Sequence, residues 1–294
     1  MTNETERAAE RAADPVAQAT ALRALHVPGR PVVLPNVWDP ASARLVASSG
    51  AAAIATTSAG IAWSLGVPDG ERLDRDRALD AVARIAAAVD LPVTADVEGG
   101  YASAADGIAT TIRVALAAGA VGVNIEDGIA DVEGAGPLRE IEEQVERIRA
   151  ARAAADAAGV PVFVNARTDT YWKGVGEPSA RLAGTLERAA AYIDAGADGI
   201  FVPGVRTPAE IRALVAGTDA PFNVLAGPGL PTVPELAALG VARVTLGSGL
   251  ARAAHTLTRR AAEEALTAGT YGFLADALPY AEADALLGHL DEEG

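Results

Sequence analysis

The stretch LPVTADVEGGY at residues 91–101 is a short apolar run that ends at Asp96 and Glu98 and continues into two glycines. The same arrangement returns in VGVNIEDG at residues 121–128 and in PVFVNARTDTY at residues 161–171. Ala-rich stretches with helical periodicity separate these runs. Regular alternation of strand and helix at this spacing predicts parallel strands that are joined by right-handed crossovers.

Eight such runs occur along the 294 residues, and they predict a (β/α)8 TIM barrel, a fold that usually needs about 250 residues. The expected strands are 32–36, 52–57, 92–96, 121–126, 161–167, 199–202, 222–225 and 243–246. We expect residues 1–260 to form the barrel with a helical lead-in and residues 261–294 to form a helical tail. The tail has an apolar face, which we expect to pack on a neighbouring subunit.

Composition and charge exclude several classes of protein. A net charge of −15 at pH 7 argues against nucleic acid and anionic membrane surfaces as partners. The chain has no apolar run near the ~20 residues of a membrane span, and its first residues do not resemble a signal peptide, so we expect a cytoplasmic protein. No cysteine is present, which excludes disulfides and thiolate metal sites. The single lysine, Lys173, lies beyond the fifth strand, which does not favour a Schiff-base mechanism.

Carboxylates at strand ends are the first candidates for chemistry. The C-terminal ends of parallel strands meet at one mouth of a barrel, so Asp96, Glu98 and Glu126 should lie close together. Asp96 and Glu98 are two residues apart and would point to one side of an extended segment. Such an oxygen-rich group suits Mg2+, or Mn2+, with several waters retained. The alternative interpretation is that some of these acids cap the helices that follow.

A basic group and two hydroxyl groups accompany these acids. Arg167 follows the fifth strand, and its guanidinium can bind a carboxylate with two N–H groups. The alternative is a structural ion pair with Asp169 or Glu126. Thr57 and Ser58, at the end of the second strand, supply hydroxyl groups that suit a substrate carboxylate.

The remaining candidates carry weaker signals. The backbone amide of Ala59 would suit a carboxylate or enolate oxygen. Asp69 follows Pro68 in GVPDG, which is also an ordinary turn sequence. Trp38 ends the first strand and Asn223 lies in the seventh, and either can be a packing residue. The three histidines lie away from the strand ends, and we expect them to be structural: His26, His255 and His289.

Seven segments follow one another between about residues 22 and 250: PNVWDPASARLVASSGAAAIATTSAG, LGVPDGE, LPVTADVEGGY, VGVNIEDG, FVNARTDTY, GADGIFVPG and NVLAGPGLP. Together they resemble the isocitrate lyase and phosphoenolpyruvate mutase superfamily, in particular its short carboxyvinyl-carboxyphosphonate phosphorylmutase-like members. The resemblance implies a barrel whose last helix is exchanged between subunits of a homodimer or homotetramer. It also implies Mg2+ held near Asp96, Glu98 and Glu126, partly through water.

The chemistry implied by the resemblance is the making or breaking of a carbon-carbon or phosphorus-carbon bond next to a small anionic oxo-acid, through an enolate-like or phosphoryl-like species. The resemblance implies Asp69 near the reacting centre, Thr57 and Ser58 at the substrate carboxylate, and Arg167 at the substrate. With the candidates from the residues themselves, we expect Asp69, Arg167 and Glu126 to be catalytic, and Trp38, Thr57, Ser58, Ala59, Arg167 and Asn223 to contact the substrate.

Two departures from the superfamily pattern narrow these expectations. The segment GIADVEGAGPL at residues 128–138 has neither the cysteine of the lyase gating loop nor the lysine and asparagine of the phosphonate branches. Glu98 stands where the superfamily more often has Asp.

We expect first a Mg2+-dependent lyase that cleaves a carbon-carbon bond in a small 2-oxo or 2-hydroxy dicarboxylate, or that hydrolyses an oxaloacetate-like acid. The alternatives are a phosphoenolpyruvate mutase or phosphonate-processing enzyme, and a non-catalytic oxo-acid sensor.

Overall fold

Residues 14–129 and 136–288 are described by a computed structural model, and one parallel sheet forms their centre. The strands are β1 Val32–Leu34, β2 Asn36–Val37, β3 Ile54–Thr56, β4 Val93–Asp96, β5 Ala120–Glu126, β6 Phe163–Arg167, β7 Gly199–Val202, β8 Phe222–Leu225 and β9 Arg243–Thr245. Their order in the sheet is β1-β9-β8-β7-β6-β5-β4-β3-β2, and the paired strands run parallel.

The first strand closes the barrel. β1 pairs with β9, with Val33 opposite Val244, whereas β2 pairs with β3 on the other edge of the sheet. Pro35 stands between β1 and β2, and proline has no N–H with which to continue a strand ladder. The expected strand 32–36 is therefore two short strands, and the chain across Pro35 joins the two edges of the sheet. The predicted α/β TIM-barrel fold is confirmed.

Helices connect the successive strands. They are α1 Pro15–Ala24, α2 Pro40–Ser48, α3 Ser58–Ser64, α4 Arg75–Ala87, α5 Ala105–Ala117, α6 Ile141–Ala157, α7 Pro178–Asp194, α8 Pro208–Ala216, α9 Val233–Ala238, α10 Gly249–Thr267 and α11 Tyr280–Gly288, with a 3-10 turn at Gly272–Leu274. Local sequence explains many helix starts: Asp39 caps α2 through the Ser42 amide, and Pro40 occupies the first position, where an N–H would lack a helical partner. Within residues 14–129 and 136–288, no helix is long and apolar enough to cross a membrane.

Helix α1 covers the end of the barrel at which the strands begin. Leu22 is fully buried there, and a Cβ on Gly122 would lie 2.6 Å from Leu22 Cδ2. His26 stacks on Phe163 with ring centroids 3.8 Å apart, and burial lowers the pKa of His26 to about 3. His255 is exposed on α10, and His289 lies outside the described residues. Neither described histidine lines a cavity at the mouth of the barrel.

A layer of polar side chains fills the middle of the barrel. Asn165 Nδ2 donates to Asn124 Oδ1 at 2.9 Å and to Asn223 Oδ1 at 3.1 Å. Arg243 is fully buried in the same layer, and burial lowers its pKa to about 9. Asn223 also donates to the carbonyl oxygens of Val224 and Arg243. Asn223 is thus a structural part of the barrel interior in this arrangement.

The tail contacts the barrel of its own chain and leaves apolar side chains in solvent. Arg44 Nη1 on α2 donates to the carbonyl oxygens of Leu286 and Leu287 in α11, at 3.1 and 2.7 Å. In α10, Leu257 is 60% exposed and Leu266 is 86% exposed. The exchange of a helix between subunits stays a prediction.

Candidate active site

Two adjoining cavities of about 250 and 110 Å³ open where the strands end, and they share Ser58, Asp69, Arg167 and Trp172. The sequence candidates that line one cavity or both are Thr57, Ser58, Ala59, Asp69, Asp96, Glu98, Glu126 and Arg167. Trp38 and Asn223 line neither of them. Trp38 instead packs against α3, because a Cβ on Gly60 would lie 2.8 Å from Trp38 Cβ.

Ser58 brings two carboxylates together. Its Oγ lies 3.0 Å from Asp96 Oδ2 and 3.3 Å from Asp69 Oδ1, and its backbone N–H donates to Asp96 Oδ2 at 3.3 Å. Ser58 can do this because α3 begins directly after β3, with Thr57 as the N-cap. Burial, and then the charge of Asp96, raises the pKa of Asp69. Asp69 and Asp96 therefore face each other across a single hydroxyl group.

Glu98 connects the loop after α3 to the loop after β4 through hydrogen bonds. Its Oε2 accepts the Glu71 N–H at 2.5 Å, and its Oε1 accepts the Tyr101 hydroxyl at 3.1 Å. Glu71 Oε1 in turn accepts the Tyr101 N–H at 2.8 Å. All three residues have left-handed backbone angles, with φ of 50 to 56°, which is strained for side chains other than glycine. Burial, and then Asp69 and Asp96, raises the pKa of Glu98 to about 8.

Arg167 has an acidic partner on each side. Its Nη1 lies 2.6 Å from Glu126 Oε2, and its Nε and Nη2 lie 2.6 and 3.0 Å from the two oxygens of Asp169. Burial opposes the charged form, but Glu126 and then Asp169 raise the pKa of Arg167 overall. Burial also raises the pKa of Glu126, although Arg167 opposes this. Both structural ion pairs considered for Arg167 are present, and N–H groups on Nη1 and Nη2 remain available to a ligand.

Asp127 lines neither cavity, but it holds a residue that does. It is fully buried, and its Oδ1 accepts the Asp169 N–H at 2.9 Å. Its Oδ2 accepts the Tyr192 hydroxyl at 2.8 Å and Arg188 Nη1 at 3.2 Å. Asp127 therefore fixes the backbone of Asp169, the residue that orients Arg167.

Helix capping does not account for the acids at the ends of β4, β5 and β6. The helices that follow these strands, α5, α6 and α7, begin after Ala104, Glu140 and Glu177, and none of the three starts has a side-chain cap hydrogen bond. The acids at these strand ends point into the mouth of the barrel or support it.

The carboxylates fit a cation that is held partly through water. Among the described residues, no group of three Asp, Glu, His or Cys side chains forms a direct metal site. Five carboxylates nevertheless line the larger cavity against three basic groups. Burial, and then repulsion from Asp69 and Asp96, raises the pKa of Glu98, and a bound cation would relieve this repulsion. Oxygen-only ligands and retained waters are what Mg2+ prefers. Asp96, Glu98 and Glu126 stay the candidate ligands, with the cation held partly through water.

Three cavity residues carry little functional signal in the sequence: Glu71, Trp172 and Lys173, whose position does not favour a Schiff base. Their one sequence signal is a position a few residues beyond a strand end or beside the Asp69 turn. Residues 130–135, the middle of the segment compared with the gating loop, lie outside the described residues.

The sequence comparisons agree on one family. The family model for phosphoenolpyruvate phosphomutase matches residues 22–266. An uncharacterized protein of Mycobacterium tuberculosis is 39% identical over 273 residues, which cover 90% of this chain and 94% of that protein. The 2-methylisocitrate lyase of Escherichia coli is 31% identical over 211 residues, with coverage of 67% and 69%. The oxaloacetate decarboxylase of Rhodopseudomonas palustris BisB18 is 33% identical over 217 residues, with coverage of 71% and 70%.

Solved structures show the same relationship. A candidate lyase/mutase from Burkholderia cenocepacia J2315 matches with a TM-score of 0.84 and 43% identity, covering 92% of this chain and 95% of that one. A phosphonopyruvate hydrolase in complex with oxalate and Mg2+ matches with a TM-score of 0.81 and 28% identity, covering 93% and 95%. The second structure shows a divalent cation and a small dicarboxylate bound to a protein of this fold.

Proposed function

Because the chain belongs to the phosphoenolpyruvate phosphomutase family, within the isocitrate lyase and phosphoenolpyruvate mutase superfamily, we propose that it is a Mg2+-dependent lyase. Its reaction would cleave a carbon-carbon bond in a small 2-oxo or 2-hydroxy dicarboxylate and release an oxo-acid such as pyruvate. The observation that supports this most is the placement of Asp69 and Asp96 around Ser58, beside Arg167, at the mouth of the barrel. Relatives named for carbon-carbon cleavage, a methylisocitrate lyase and an oxaloacetate decarboxylase, support it further.

The oxo-acid end of the substrate would bind where the two cavities meet. The Ser58 hydroxyl and the remaining N–H groups of Arg167 face this space, and they suit a carboxylate and an oxo oxygen. Asp169 holds the guanidinium plane in place through two hydrogen bonds, so little ordering is needed when the substrate binds. Mg2+, with Asp96 and Glu98 as ligands, would act as a Lewis acid toward the developing enolate.

Cleavage of a 2-hydroxy dicarboxylate removes its hydroxyl proton as the carbon-carbon bond breaks, and it leaves an enolate that takes up a proton at carbon. We propose that Asp69 accepts the first proton and returns it to the enolate carbon. Asp69 lines both cavities, and its raised pKa allows it to hold a proton closer to neutral pH than an ordinary aspartate can. Tyr101 carries the other hydroxyl that could supply a proton, but this hydroxyl already donates to Glu98. His26 lies at the opposite end of the barrel.

Phosphorus-carbon chemistry is the second candidate. It is supported by the structural match to phosphonopyruvate hydrolase and by the phosphomutase family model. The two candidates differ in product, because a lyase releases free oxo-acids, whereas a mutase changes the phosphorus signal from phosphate ester to phosphonate. A sensor without catalysis would bind oxo-acids and release no product.

Thermal-shift measurements with Mg2+ and a panel of acids test the proposal: oxalate, pyruvate, oxaloacetate, phosphonopyruvate, methylisocitrate and substituted malates. We expect oxalate to raise the melting temperature only when both Mg2+ and Asp96 are present, since a ligand stabilises the state that binds it. Asp96→Ala should abolish the shift, whereas Asp80→Ala, a matched change on the exposed side of α4, should retain it. The stabilising acids are then assayed for pyruvate release and by phosphorus NMR. The absence of any Mg2+-dependent shift would contradict the proposal.

A further inference from the structure

Lys173 extends over the larger cavity from the connection between β6 and α7. Its Nζ donates to the carbonyl oxygen of Ile129 at 2.8 Å. Its side chain passes Gly128, where an added Cβ would lie 3.3 Å from Lys173 Cε and 2.6 Å from Asp169 Oδ2. A larger residue at 128 would displace both side chains. Gly128 therefore makes room for the only lysine of the chain at the wall of the cavity.

The larger cavity is lined by more acidic than basic side chains, so an anionic ligand gains from each additional positive group. Arg167 lies between Glu126 and Asp169, so two acidic side chains already share its positive charge. A carboxylate that reaches Arg167 meets a guanidinium already neutralised by its neighbours. The other basic side chains that line this cavity are Lys173 and Arg72, and Arg72 is exposed. Lys173 is thus the less exposed source of positive charge beyond Arg167.

The lining of the two cavities places Lys173 at the end of a ligand that is remote from Ser58 and Arg167. Ser58 and Arg167 line both cavities, whereas Lys173 lines only the larger one. A lysine ammonium has three N–H donors, and the Ile129 carbonyl uses one of them. Two donors remain for a carboxylate that lies beyond the oxo-acid end of the substrate.

We propose that Lys173 binds the second, remote carboxylate of the substrate and makes the enzyme select dicarboxylates over monocarboxylates of equal length. This inference rests on the proposed function and specifies its substrate class. The Lys173 side chain is a specificity determinant here, and it forms no covalent bond to the substrate.

Calorimetry on the full chain with Mg2+ tests this with three probes: malate, 2-hydroxybutyrate and oxalate. Malate and 2-hydroxybutyrate have the same four-carbon 2-hydroxy acid skeleton, and only malate has the second carboxylate. The wild-type protein should bind malate at least about tenfold more tightly than 2-hydroxybutyrate, as expected for a desolvated ion pair. Lys173→Met should abolish this preference and change the Kd of oxalate by less than about threefold. Lys173→Arg should retain most of the preference.

The matched control is Arg206→Met. Arg206 is a cation in the loop after β7, it donates to the Pro228 carbonyl oxygen, and it lines neither cavity, so the malate preference should not change. A malate preference that survives Lys173→Met would overturn the inference, as would equal weakening of oxalate and malate. The comparison of malate with 2-hydroxybutyrate in the wild-type protein needs no variant, and equal affinities there would overturn it as well. Missing Mg2+-dependent oxalate binding would instead contradict the proposed function itself.

Discussion

Glu98 has a pKa of about 8, because burial and the charges of Asp69 and Asp96 disfavour its ionised form. The same side chain in the unfolded protein ionises near its ordinary value of 4.5. Between these two values the folded state binds the proton more tightly than the unfolded state does. This contribution to stability is fully present below the unfolded pKa and is lost as the pH rises through the folded pKa.

We therefore expect the free energy of unfolding of the EDTA-treated protein to fall by an amount on the order of 2 kcal/mol between pH 5 and pH 8. The melting temperature should fall with it. Glu98→Gln should reduce this slope, because glutamine has no proton to lose and keeps an oxygen acceptor. Glu142→Gln, on the exposed face of α6, is the control and should leave the slope unchanged. Calorimetric melting across this pH range is the measurement. Equal slopes for both variants would refute the assignment.

The planar guanidinium of Arg167 is oriented by two N–H hydrogen bonds to Asp169. Arg167→Lys keeps the charge but cannot form the paired hydrogen bonds to Asp169. We expect kcat/KM to fall by about a hundredfold or more, which corresponds to about 2.7 kcal/mol of transition-state stabilisation. Arg188→Lys is the matched control, since Arg188 contacts Asp127 behind the site, and it should cost stability with a loss in kcat/KM below about tenfold. Comparable kinetic losses in the two variants would argue against a direct role for Arg167.

Among the loops, the turn after β4 combines strain with close packing. Gly100 has φ of 97°, and an added Cβ would lie 2.4 Å from Ile108 Cδ1 on α5. We expect Gly100→Ala to lower the free energy of unfolding by about 2–4 kcal/mol, since the left-handed angle and the clash both contribute. The same variant should weaken Mg2+ binding, because this turn carries Glu98. Urea unfolding and a Mg2+ titration measure the two effects.

Gly159→Ala is the matched control for the strain alone. Gly159 has φ of 70°, with nothing within 4 Å of an added Cβ, so its cost should be about 1 kcal/mol. A cost at Gly100 no larger than the cost at Gly159 would show that Ile108 moves aside easily.

The elements also show what the sequence could predict. Buried parallel strands are apolar runs with polar residues at their ends, so the strands and the gathering of Asp96, Glu98 and Glu126 at one mouth of the barrel could be anticipated. The break at Pro35 could not, because the residues on both sides are apolar enough for one strand. Asn223 is expected among the substrate contacts, whereas its place in β8 puts its side chain in the interior of the barrel, where it accepts a hydrogen bond from Asn165. The position of Lys173 depends on the path of its loop, which spacing along the chain does not specify.

In the fold as a unit, a strongly acidic protein leaves apolar side chains of α10 and the tail in solvent: Leu257, Leu266, Tyr271, Leu274, Leu278, Tyr280 and Leu287. Deleting residues 261–294 should dissociate the homodimer or homotetramer expected from the sequence, because this surface would otherwise be buried between subunits. Light scattering measures the mass. Leu266→Arg should act in the same direction, whereas Val16→Arg on α1 should not. An unchanged mass after the deletion would contradict the swapped-helix prediction.

The one lysine at the wall of the cavity and the complete lack of cysteine give the molecule an unusual chemical simplicity. An amine-directed acylating reagent finds a single side-chain target, and that target faces the bound ligand. Protection of Lys173 in peptide mass spectrometry would therefore report occupancy of the cavity by any compound, without knowledge of the reaction. Because the chain has no cysteine of its own, a thiol-directed dye would label only a cysteine that is introduced by mutation.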